Sequence, residues 1–227
     1  MIVYYRLCDI ASTNPSPIFQ EDKKKLNRLC LRSFVTAFKE IKPQMYFIAD
    51  HCGKEYEQMI KEEVPFKYEI EFTALGINGT ALRQYDLASE TVEDEILFQE
   101  CDYLYRPSVG SQMVDAIKHF RLLSPYDHPN FYIDKSIHSP TCQIELYKNQ
   151  HYRTTERNTM TFGMTRYAFL ESYEILKKYG YLDNEVWKEL KEIGYPLRVP
   201  IPSFATHMAK DWMAPAIPWD LVQKIYI

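Results

Sequence analysis

Glu95-Ile-Leu-Phe-Gln-Glu-Cys-Asp-Tyr-Leu-Tyr105 is the stretch from which the rest of the chain can be read. Its short apolar run, Ile96-Leu97-Phe98, is β-branched and aromatic, and it reads as a buried strand over 95–99. The strand leads directly into Glu100-Cys101-Asp102, two carboxylates one residue apart. Such a tripeptide alone is common in solvated turns. Placed after a buried strand, it presents both carboxylates at the carboxyl end of a sheet, where open α/β sheets bind ligands. A hard divalent cation takes oxygen ligands and keeps positions open for phosphate oxygens. It can then neutralise the charge that develops on a departing diphosphate. Glu100 and Asp102 are thus candidate ligands of Mn²⁺ or Mg²⁺.

Working outward, the first half alternates strand and helix signals. Residues 2–5 form an apolar strand. Leu26, Leu29, Cys30, Phe34, Phe38 and Ile41 then recur at helical spacing until Pro43. Residues 46–49 read as a second strand, 54–61 as a short helix and 68–72 as a third strand. Gly76-Ile-Asn78-Gly79 reads as a turn opening a helix through Leu82, Tyr85 and Ala88. This alternation predicts a mostly parallel α/β sheet flanked by helices, with right-handed crossovers. The second half is less regular. Residues 112–123, 167–179 and 184–193 read as helices. Residues 143–147, 154–162 and 196–202 read as extended, and 125–140 as a loop. One domain is expected, with residues 1–106 as a nucleotide-binding half and 107–227 as an acceptor-binding half and lid, and it can be part of a longer chain.

Composition excludes several classes. The 227 residues are 46% hydrophobic and 26% charged with a net charge of -4, which is ordinary for a globular protein and gives no footprint of a nucleic-acid binder. The five cysteines are odd in number and lack CxxC spacing, which argues against a disulfide framework or structural zinc site and for a reducing, cytoplasmic compartment. The N-terminus reads as a strand and not a signal peptide, and no stretch reaches the length of a membrane span.

Other residues can carry chemistry, each beside a plainer role. Asp50 ends the second strand and can accept a hydrogen bond from a base N–H, or simply form a turn before Gly53. Backbone N–H groups at Asn78 and Gly79, with Arg83 one turn on, can meet a diphosphate, or merely begin a helix. His207, in Ala-Thr-His-Met, can complete a metal site or be structural. Glu156 can be the general base of an inverting transfer, or pair with Arg153 or Arg157. Asp127-His128-Pro129 reads as a loop anchor first and an acceptor-site element second.

The ordered set of Arg6-Leu7 ending the first strand, Asp50, Asn78-Gly79 with Arg83, the acidic-x-acidic motif and a late histidine resembles the GT-A glycosyltransferases. That family usually has Asp-x-Asp where this chain has Glu100-Cys101-Asp102. The following Asp-Tyr-Leu-Tyr-Arg-Pro is similar to viral and bacterial sugar transferases, those of large algal viruses among them. The resemblance implies a GT-A-like Rossmann-type sheet and a UDP-type nucleotide-sugar donor of a hexose or deoxyhexose. Arg6, Leu7, Asp50, Asn78, Gly79, Arg83, Glu100, Cys101 and Asp102 would lie around the donor, and Glu100, Asp102 and His207 around Mn²⁺ or Mg²⁺. A glycan or glycoprotein would be the acceptor, and the host cytoplasm the location if the chain is viral. A nucleotidyltransferase is a second reading, although 9–17 lacks the glycine-rich basic loop of that class. A non-catalytic sugar-nucleotide-binding module is a third. A Rossmann oxidoreductase ranks below these because GxGxxG is missing.

Overall fold

A computed structural model describes residues 1–10, 14–134, 142–183 and 185–227. The expected features at 11–13, 135–141 and Asn184 lie outside the described residues.

The first half follows the alternation of the sequence. Strand β1 (Ile2–Cys8) is followed by helix α1 (Lys23–Ala37), β2 (Gln44–Asp50), α2 (Glu55–Glu63), β3 (Tyr68–Thr73), α3 (Gly76–Ser89) and β4 (Glu95–Glu100). All of their pairings are parallel, in the order β3-β2-β1-β4. Next come β5 (Tyr103–Tyr105), α4 (Gly110–Phe120), β6 (Leu122–Leu123) and the short α5 (Asn130–Ile133). The remainder comprises β7 (Ile144–Tyr147), β8 (Gln150–Thr155), β9 (Phe162–Thr165), α6 (Arg166–Tyr179), α7 (Val186–Glu192), β10 (Leu197–Ile201), β11 (Ala205–His207) and α8 (Trp219–Val222). The main sheet continues from β4 as β9-β6-β10-β8-β7. Within it β9 and β8 run against the other strands, which share one direction. The sheet is mixed and mostly parallel, as expected, and every antiparallel pair involves β8 or β9, including the β4–β9 pair that joins the two halves.

Three local expectations change. Gly76-Ile-Asn-Gly79 is not a turn before a helix but the first turn of α3 itself, with Gly76 at φ 71°. The helix therefore starts one turn earlier and aims different residues at the sheet. Residues 154–162 are not one extended piece. They divide into the end of β8, a loop and the start of β9. Leu122-Leu123 leave α4 through Arg121 at φ 68° and join the sheet as β6.

Strand alternation sends side chains to opposite faces. Val3, Tyr5 and Leu7 pack with Phe34, Phe38, Phe47 and Tyr105 on the face covered by α1, α2 and α4. Ile2 and Tyr4 pack with Phe98, Phe162, Phe169 and Trp187 on the face covered by α3, α6 and α7. Burying a large aromatic side chain is worth about 1.5–3 kcal/mol, so two such layers hold the sheet rigidly. The same alternation places Arg6 and Glu100 at the strand ends beyond the second layer. They are register partners across β1 and β4.

Candidate functional site

The carboxyl ends of β1, β2 and β4 and the start of α3 enclose a cleft of about 450 Å³. Six of the expected donor-site residues line it: Arg6, Leu7, Asp50, Glu100, Cys101 and Asp102. Gly76, Ile77, Thr80 and Lys23 also line it; Gly76 and Ile77 belong to the glycine-bearing turn read from the sequence, whereas Thr80 and Lys23 carried no expected role. A contiguous recess of about 20 Å³ is bounded by Lys23, Asp102 and His207.

The floor of the cleft consists of paired charges. Arg6 Nη2 donates to Glu100 Oε1 at 2.9 Å, and Arg6 Nη1 to the carbonyl of Ile77 at 3.2 Å. Glu100 Oε2 accepts from Thr161 Oγ1 at 3.1 Å, so both of its oxygens are engaged. Lys23, the first residue of α1, donates to Asp102 Oδ2 at 3.1 Å. His207 Nε2 lies 3.5 Å from the same oxygen.

The C-terminal segment delivers His207 by backbone pairing. Strand β11 runs antiparallel to β5 with His207 opposite Tyr103, and the two rings stack at 5.1 Å between centroids. Met208 N–H donates to the Asp102 carbonyl at 2.8 Å. Burial alone would raise the Asp102 carboxyl. The His207 and Lys23 charges override it and hold the carboxyl far below the usual range. His207 is affected in the reciprocal way: burial disfavours its cation, and the Asp102 charge outweighs this and raises it.

Asp50 borders the cleft, but its carboxylate is already in use. Oδ1 accepts from Thr73 Oγ1 at 2.8 Å and Leu75 N–H at 2.7 Å, and Oδ2 from Gly76 N–H at 3.2 Å. His51 Nδ1 stands 2.9 Å from Oδ2. Asp50 thus caps α3 across the sheet edge, and this turn role uses the oxygens that base recognition would require. Cys101 is buried, and burial pushes its thiol up to about 12.

Three expected donor residues lie outside the cleft lining. Arg83 sits one turn further down α3, where Glu71 takes its Nε and Nη2 at 3.1 and 2.9 Å. Asn78 faces α6, its Oδ1 lying where a Cβ on Gly180 would stand, and Gly79 packs on Leu75. On α3 it is Ile77 and Thr80 that line the cleft instead. Glu156 follows β8 and pairs with Lys191 of α7 at 2.5 Å, away from the cleft lining. Asp127 is 1% exposed and bound by Arg153 Nε at 2.9 Å, which makes it an anchor for its loop.

The donor set for a divalent cation can be tested directly. Glu100 has both oxygens committed to Arg6 and Thr161, and one Asp102 oxygen is shared by Lys23 and His207. Among the described residues, no three His, Cys, Asp or Glu side chains gather as a metal cage. A dication on these carboxylates would adjoin two fixed cations. Repulsion from those two cations offsets the attraction that the two carboxylates would otherwise offer a dication. In this arrangement Glu100, Asp102 and His207 do not fit Mn²⁺ or Mg²⁺.

No family model and no curated protein matches the chain. Solved structures do. The chain is similar to the inositol-1-phosphate CTP transferase from T. maritima, with a TM-score of 0.54 at 11% identity over 99% of this chain and 93% of that one. The 4-diphosphocytidyl-2C-methyl-D-erythritol synthase from Anaerococcus prevotii DSM 20548 gives 0.52 at 9% identity over 99% and 95%. S. aureus TarS gives 0.52 at 11% identity over 87% of this chain and 34% of that one. At such identities the likeness is one of fold. The chain has the mixed, mostly parallel α/β sheet shared by these proteins. Among the described residues no helix is long and apolar enough to cross a membrane.

Proposed function

We propose that the chain is a transferase that binds a nucleoside diphosphate-sugar in the 450 Å³ cleft and moves the sugar to a glycan acceptor. The observation that carries this reading is the convergence of Arg6, Lys23, Glu100 and Asp102 at the carboxyl ends of β1 and β4, with His207 reaching them from the opposite end of the sequence. Such a site meets a diphosphate with fixed charges and holds the sugar beside carboxylates. The resemblance of the motifs to sugar transferases favours a UDP-type donor of a hexose or deoxyhexose. Glu156 is held by Lys191 outside the cleft, so this reading does not rest on it as base, and inversion or retention is left to product stereochemistry.

A second reading is nucleotidyl transfer, and two observations favour it. Two structures that match nearly the whole chain carry the names of a CTP transferase and a diphosphocytidyl synthase. In addition, Lys23 supplies the cleft with the basic residue that 9–17 lacks. The products separate the readings: incubation with a panel of UDP-sugars and glycan acceptors should release UDP and glycosylated acceptor. Release of pyrophosphate from CTP or UTP with a sugar or polyol phosphate would establish the second reading instead. In either assay Asp102→Asn should lower turnover at least about 100-fold, because it unpairs Lys23 and His207 together, while circular dichroism shows a folded chain. Unchanged turnover would remove this cleft as the active site.

A further inference from the structure

Lys23 is the charged residue lining the cleft that the expected donor set does not contain. It is a lysine with a side chain only 10% exposed, and it lines both the main cleft and the recess beneath His207. Lys23-Lys24-Lys25 open α1 with no acidic residue in its first turn, behind an Asp22 cap that pairs with Lys25 at 2.9 Å. Cations there oppose the helix dipole, whose positive end favours anions. Across the cleft, Arg6 keeps unused hydrogen-bonding capacity, since its buried Nε has no partner among the described residues. Buried ion pairs contribute little to stability compared with apolar side chains of similar volume, so the fold alone does not call for two cations here. Both border the same cavity, and each is steadied by one carboxylate, Arg6 by Glu100 and Lys23 by Asp102.

From this geometry we propose that Lys23 and Arg6 form a two-cation clamp that binds the diphosphate group without a divalent metal. Glu100 and Asp102 then act as positioning residues that hold the cations in place, and not as metal ligands. An ammonium has three donors and a guanidinium five, so each can bond a phosphate oxygen while keeping its carboxylate partner. The inference deepens the nucleotide-donor reading and rests on it for the identity of the ligand, though not for the diphosphate chemistry itself.

The experiment is calorimetric titration of the full chain with inorganic pyrophosphate, UDP and CDP in excess chelator, together with Mn²⁺ alone followed by electron paramagnetic resonance. The wild type should bind pyrophosphate in chelator and show no Mn²⁺ binding. Lys23→Met should weaken pyrophosphate at least about tenfold, as expected for loss of a charge-assisted hydrogen bond, whereas Lys23→Arg should stay within about threefold. Thermal melting checks that each variant is folded, and the wild-type metal comparison stands without any variant. The proposal is overturned if pyrophosphate binds only with Mn²⁺, if Mn²⁺ alone binds and is lost in Asp102→Asn, if folded Lys23→Met binds as wild type does, or if pyrophosphate binds under neither condition. Lys23-dependent pyrophosphate binding in chelator, with UDP and CDP binding no tighter, would support the clamp and count against the nucleotide-donor reading.

Discussion

Asp50 shows what one residue does at this sheet edge. Its carboxylate collects the Thr73 hydroxyl and the Leu75 and Gly76 N–H groups and so ties β2, β3 and α3 together at the mouth of the cleft. Removing a helix-capping carboxylate costs about 0.5–2 kcal/mol. With three donors left unsatisfied, Asp50→Ala belongs at the upper end, about 2 kcal/mol by urea unfolding. Burial pushes this carboxyl up, and the bonds from His51, Thr73 and Leu75 outweigh it, so the folded value lies below the ordinary one. A carboxyl depressed by folding stabilises the native state above its unfolded value of about 3.9 and loses that contribution as pH falls through the folded value. The wild type should therefore weaken faster than Asp50→Asn below about pH 4. Parallel acid curves for the two would mean that Asp50 does not cap α3.

At the scale of elements, the site depends on where helices start. Helix α1 begins at Lys23 and aims that side chain at Asp102, while its far end packs against the start of α4. The contact is so close that a Cβ on Gly110 would stand 2.6 Å from the carbonyl oxygen of Ala37 and 3.0 Å from Phe38 Cα. Neither neighbour is a flexible side-chain end. Gly110→Ala should therefore cost about 1–3 kcal/mol, the usual penalty of overpacking, and should lower the melting temperature. A melting temperature equal to wild type would show that α1 and α4 can move apart. Helix α3 supplies the complementary case: its start at Gly76 brings Thr80 to the cleft and leaves Arg83 to Glu71.

Among the described residues, the molecule is organised around a nine-stranded sheet that passes from the parallel first half to the mixed second half through the β4–β9 pairing. Both hydrophobic layers draw on strands near that seam, Leu97 on one face and Phe98 with Phe162 on the other. We expect the two halves to open as one unit. In hydrogen exchange at rising urea, amides of 2–8 and of 197–201 should converge on a common midpoint. A distinctly lower midpoint for 197–201 would make the second half a separate folding unit.

Apolar periodicity and proline and glycine punctuation determined the strand-helix order of the first half, because those signals are local and each element buries one face in a simple layer. The same logic placed Glu100 and Asp102 at a strand end, since a parallel sheet fixes which end of each strand meets a ligand, while Arg6 entered only through the family resemblance. The second half was less legible. Its short strands at 122–123 and 162–165 are defined by partners far away in sequence, and β-propensity depends on those partners. Only the tertiary structure decided that Lys23 packs, partly buried, against Asp102, since nothing local separates it from Lys24 and Lys25. It likewise decided that Asp50, Arg83 and Glu156 are held by Gly76, Glu71 and Lys191. A side chain's residue type sets what it can bond, but the choice among competing partners is made by packing across the whole fold.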